Sequence, residues 1–159
     1  MSPLHIAACN DLTWPQRIAR HAVDGALLAA ASIAYAGALT ATIRTGHLGW
    51  QLPSLPYTYE RSDLLLHAVF AAAAVLAALL LVDRLPPVRR TPWRGDGVFA
   101  LAVLLVIRIG PPDARVFGDT WTAWEVTHAL FLQQWPLLLT LTVAAVGLRR
   151  LARALPLLR

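Results

Sequence analysis

Four long apolar runs, separated by short stretches rich in proline and arginine, set the pattern of this chain. They cover about residues 18–43, 62–82, 92–109 and 120–148. At a helical rise of 1.5 Å per residue, even the shortest reaches most of the way across the ~30 Å hydrocarbon layer of a bilayer. The pattern predicts an all-α integral membrane four-helix bundle, with residues 1–159 forming a single transmembrane domain.

The first run carries Asp24 and is longer than the apolar stretch of a signal peptide, so it reads as a retained helix. Arg20 and Asp24 stand four apart, and His21 and Asp24 three apart. That spacing predicts an ion pair near the inner headgroups with Arg20 snorkelling outward, and secondarily a proton or ion pathway. A proline-bearing loop with Trp50 and Tyr59 follows, suited to the headgroup belt or to a lid. The second run opens with Ser62 as N-cap and Asp63 as first-turn acid, and His67 lies one turn further on the same face. Thr91 and Pro92 make a cap and first residue for the third run, which Gly110-Pro111-Pro112 terminates. In the fourth run Trp121, Glu125, His128, Leu132 and Trp135 recur at steps of four and three, one stripe on a helix that Pro136 should kink.

Composition agrees with a membrane location and narrows the partners. Apolar residues make up 57% of the 159 and charged residues only 14%, a balance foreign to soluble domains. The net charge of +5 comes from arginine alone, since lysine is absent. Such charge belongs in cytoplasmic loops facing anionic lipid, so no nucleic-acid partner is expected. With both termini inside, ten of the fourteen arginines fall on the cytoplasmic side and only Arg44, Arg61, Arg108 and Arg115 lie outside. The positive-inside rule therefore predicts a multi-pass protein of a bacterial plasma membrane with cytoplasmic N and C termini. Cys9, the single cysteine, excludes an internal disulfide and a thiolate metal cluster.

That topology places Asp63, His67, Arg108, Glu125 and His128 at comparable depth beneath the outer headgroups, with Asp113 and Asp119 in the loop above. Ionisable groups within a membrane are costly unless they face one another or a cavity, so a polar pocket is expected. Each residue also has a plain structural reading. Thr122-x-x-Glu125 matches a capping box, Asp63 caps, the histidines hydrogen-bond between helices, and Arg108 snorkels. Three chemistries suit the set. Glu125, His128, His67 and Asp63 have the donor types of a single divalent metal site. Without metal, Glu125 serves as acid or base, His128 and His67 as its partners, Asp63 as the orienting carboxylate and Arg108 as the anion stabiliser for a hydrophobic, lipid-like substrate. Alternatively, His67 and His128 are axial ligands of a b-type haem. Against all three stands a non-catalytic class, an accessory subunit packed in a larger membrane complex. Enzymatic activity is left open at this point.

Overall fold

The computed structural model describes residues 13–54, 59–82, 84, 92–111, 114–117 and 122–155, with the backbone alone for 92–94, 114 and 115. These residues form five α-helices: α1 (Trp14–Thr45), α2 (Arg61–Val82), α3 (Pro92–Ile109), α4 (Ala123–Ala129) and α5 (Trp135–Ala154). Helices α4 and α5 together make the fourth rod of the bundle, and the described residues also include two 3-10 turns, Ala114–Phe117 and Leu132–Gln134. The caps expected at Thr91 and the loop carboxylates Asp113 and Asp119 lie outside the described residues, as does Trp121.

Helix α1 begins where the Thr13 backbone N–H donates to Gln16 Oε1 at 2.9 Å, with Pro15 in the first turn where no N–H is needed. It ends at Gly46, whose φ of 72° is the left-handed conformation that lets its N–H close on the Thr42 carbonyl. Thirty-two residues long, α1 measures about 48 Å. Beyond it the loop folds back. Gln51 N–H donates to the Gly37 carbonyl at 3.1 Å, and the Trp50 indole lies on Gly37, where a Cβ would sit 2.8 Å from the ring. Arg44 holds the far side of this loop through the Ser54 carbonyl at 3.0 Å.

Packing makes α1 and α3 the short diagonal of the bundle. Each touches the other and both of the remaining long helices, α2 and α5, which flank them. The core follows from that arrangement: Leu28, Tyr35 and Leu39 of α1 meet Ala72 and Val75 of α2, Phe99, Val103 and Val106 of α3, and Leu138 and Ala145 of α5. The alanines of α2 leave little side chain at this contact and let it approach closely. Outward faces remain apolar: Leu65, Val69 and Phe70 on α2, Leu139, Val143 and Leu151 on α5 are all exposed. A soluble bundle would carry charge there.

Among the described residues, three segments are long and apolar enough to cross a membrane, namely Trp14–Thr45, Arg61–Val82 and Ala123–Ala154. Four such spans are expected from the apolar runs, and α3 is the exception. Its 18 residues include Arg94, Asp96 and Arg108, so charge occupies both of its ends.

The second departure concerns Pro136. A kink in a continuous helix is expected, but the helix stops. Proline offers no N–H to the Leu132 carbonyl and its ring crowds that oxygen. Helix α4 therefore ends at Ala129, a 3-10 turn covers Leu132–Gln134, and α5 restarts with Pro136 in its first turn. A break of this kind frees carbonyls in apolar surroundings, where they need donors from elsewhere. The Tyr35 hydroxyl of α1 supplies one, donating to the Leu130 carbonyl. Tyr35→Phe should cost about 1–2 kcal/mol, since the orphaned carbonyl stays buried; a denaturation series of the purified protein in mixed micelles measures this.

Candidate functional site

Helix direction brings the start of α2, the end of α3 and all of α4 to one end of the bundle, the end capped by the Trp50 loop. All five residues expected to form a pocket lie here, but four of them are engaged separately. Asp63 Oδ2 accepts the Glu60 backbone N–H at 2.8 Å, so the helix starts one residue before the expected Ser62 cap and Asp63 serves its first turn. Glu125 closes the capping box of α4. Thr122 N–H and Thr122 Oγ1 both donate to Glu125 Oε2 at 2.8 Å, and Glu125 N–H donates to Thr122 Oγ1 at 3.3 Å. His128 stacks on Trp124 with ring centroids 5.7 Å apart, and its Nδ1 lies 3.4 Å from Gln133 Nε2. Arg108 Nη2 donates to Thr127 Oγ1 at 3.0 Å, a hydroxyl that in turn donates to the Ala123 carbonyl.

The Glu125/His128 stripe consequently faces outward. Helix α4 buries no residue, and Leu132 and Trp135 of the same stripe are exposed too. Its seven residues end before the break, so the stripe is not continuous with the face that α5 turns to the core. Among the described residues no three His, Cys, Asp or Glu side chains gather into a group able to hold a metal ion. The set of His67, His128, Glu125 and Asp63 expected as metal ligands is therefore not assembled, because caps and a ring stack already claim three of its members.

His67 is the member left over. It is exposed, makes no hydrogen bond among the described residues, and has the Tyr59 ring 5.9 Å away. It stands on an open groove of about 360 Å³ between α2 and α3, lined also by Phe70, Ala71, Ile109, Gly110 and Pro111. On the other side of Gly110-Pro111 lies a smaller cavity of about 40 Å³, bordered by Arg108, Tyr35, Leu130 and Phe131 at the break in the fourth rod.

Among the described residues, the most heavily bonded polar cluster sits at the opposite end, where α1 begins and α5 ends. Asp24 of α1 and Arg149 of α5 are both 1% exposed and meet edge to edge, Nε to Oδ1 at 2.9 Å and Nη2 to Oδ2 at 3.1 Å. Arg149 Nη1 donates to the Gly95 carbonyl at 2.9 Å, and its guanidinium lies 4.2 Å from the centre of the Phe99 ring. Arg153 adds a second contact to Asp24 Oδ2 at 2.9 Å. Asp96 of α3 takes Arg150 at 2.8 Å and Arg149 at 3.6 Å. A planar fork with five donors suits such a junction, whereas an ammonium could not bridge two helices in this way.

Sequence reasoning names Asp24 but pairs it with Arg20, its neighbour on the same helix; the structure adds Arg149 and Arg153 from the far end of the chain. Asp96 and Arg149 escape that reasoning, since Arg149 reads as part of a basic tail. One signal does mark it: Leu138, Ala145 and Arg149 fall at steps of seven and four, the buried stripe of α5.

What the fold defines is a helical protein with three helices able to cross a membrane, locked at one end by a buried ionic junction and open at the other through a lateral groove. No protein-family model, curated protein or solved structure matches this chain.

Proposed function

We propose that this chain is a multi-pass protein of a bacterial plasma membrane, both termini cytoplasmic, which binds a lipid-like molecule in the groove between α2 and α3. His67 is its acid–base group. The single observation that supports this reading is an imidazole without a hydrogen-bond partner among the described residues, placed on an open groove between two helices. Such a group is poised to accept a proton from a headgroup or donate one to it. Phe70, Ile109 and Pro111 would contact the apolar part of the ligand. The positive-inside rule supports an outer-leaflet position for the groove.

A second reading, an accessory subunit, is favoured by the local engagement of Asp63, Glu125 and His128 together with the outward Trp124 and Trp135 of the fourth rod. Cross-linking with a photoactivatable phospholipid in native membranes separates the two. Lipid binding predicts label on the peptide containing Phe70 and at least a fivefold loss of label in His67→Ala, with the fold intact by circular dichroism. Equal labelling of the variant would remove His67 from the site. Label confined to Trp124 and Trp135, accompanied by a co-purifying partner, would establish the subunit reading.

A further inference from the structure

Among the described residues, the ionic junction of α1, α3 and α5 is not charge-balanced. Three guanidinium groups, Arg149, Arg150 and Arg153, face two carboxylates, Asp24 and Asp96. Asp24 Oδ2 takes two donors and Oδ1 one, while Asp96 Oδ2 takes Arg150 through both Nε and Nη2. Donors are left over. Arg153 Nε is buried and finds no partner among the described residues, and the Arg150 side chain, 65% exposed, turns much of its guanidinium outward.

Directly beside Arg150 an apolar groove of about 320 Å³ runs along α5, lined by Thr142, Val143, Val146 and Gly147. From Thr142 to Arg150 it spans eight residues, about 12 Å toward the middle of the bundle. Gly147 forms an open part of the floor, since a Cβ there would meet nothing within 4 Å. Thr142 does not make the groove polar, because its hydroxyl is turned back to the Leu138 carbonyl at 2.7 Å.

We infer that this surface is a binding site for one anionic phospholipid, its phosphate at Arg150 beside the junction and an acyl chain in the groove over Gly147. Charge complementarity selects the occupant. A surplus cation at the mouth calls for an anion, and an apolar channel leading away from it calls for a chain on that anion. The arginine-rich end of the bundle is the one the positive-inside rule assigns to the cytoplasmic leaflet, where anionic lipid is drawn to basic side chains. The site shares no residue with the His67 groove and stands or falls apart from it.

Native mass spectrometry after reconstitution into nanodiscs tests the site, comparing phosphatidylglycerol with phosphatidylcholine. The wild-type protein should retain phosphatidylglycerol in preference. Arg150→Gln should weaken that retention about fivefold, the effect of one basic side chain near a membrane surface. Gly147→Leu, whose Cβ would meet nothing within 4 Å, places a side chain in the groove and should lower retention with no loss of thermal stability, so the test survives even if the arginine variant fails to fold. Glycerophosphoglycerol, which lacks chains, should not compete. Equal retention of the two lipids, wild-type retention in Gly147→Leu, or competition by the free headgroup would each overturn the inference. Dissociation of a dimer by Gly147→Leu would do so too, as the groove would then be an interface between two copies of this chain.

Discussion

Asp24→Ala should destabilise the folded bundle by about 3–5 kcal/mol, the cost of leaving a buried guanidinium without its counter-charge. Arg149 is 1% exposed and cannot turn to water from its position between α1 and α3. Asp96, 3.6 Å from its Nη1, supplies a partial substitute that places the loss toward the lower end of that range. Arg153 loses its carboxylate in the same variant, but at 35% side-chain exposure it can swing outward. The pair itself adds little net stability over apolar packing, because desolvating two charges offsets most of their attraction. Asp24→Leu combined with Arg149→Met should therefore recover most of the loss, and a double-mutant cycle should show strong coupling between the two positions. Unfolding titrations in mixed micelles measure Asp24→Ala and the four members of the cycle. Additive losses would mean that the contact does not hold the helices together.

Gly110→Ala is expected to cost about 3 kcal/mol, the upper part of the range for overpacking. A Cβ at this position would stand 2.2 Å from Ser32 Oγ and 2.6 Å from the Val106 carbonyl oxygen, both far inside contact distance. The serine can be removed but the carbonyl cannot: Gly110 N–H already closes on Val106 O at 2.8 Å, tying the turn to the end of α3. Ser32→Ala should consequently rescue Gly110→Ala in part, not fully. Because Gly110-Pro111 separates the His67 groove from the cavity beside Arg108, displacement of this turn should also reduce phospholipid labelling at Phe70. Full stability of Gly110→Ala would show that α1 and α3 do not approach as closely as the fold requires.

Much of the architecture is legible in the chain because it depends on local rules. The apolar runs predict the helices, Gly110-Pro111-Pro112 predicts the end of α3, and Thr122-x-x-Glu125 predicts a capping box that is present with both of its hydrogen bonds. Pro136 marks the right place but understates the consequence. Whether a proline bends a helix or ends it depends on what the freed carbonyls can find, and the donor here, Tyr35, comes from a helix about a hundred residues earlier. The candidate site was legible only as an inventory. Shared depth in a membrane puts Asp63, His67, Arg108, Glu125 and His128 at one level without saying which way each points, and their own caps and stacks decide that at short range.

By itself, then, the amino-acid sequence determined the helical class, the apolar exterior, the positions of the breaks and the Thr122 cap, since each depends on residues within about one or two turns of one another. The tertiary structure alone decided that Asp24 belongs with Arg149 and Arg153, that α3 completes the diagonal of the bundle with α1, and that His67 rather than Glu125 stands on a groove. Those outcomes depend on which face each helix turns to its neighbours. Contacts between residues more than a hundred positions apart are selected by the packing of whole surfaces, a quantity that no periodicity along a single segment contains.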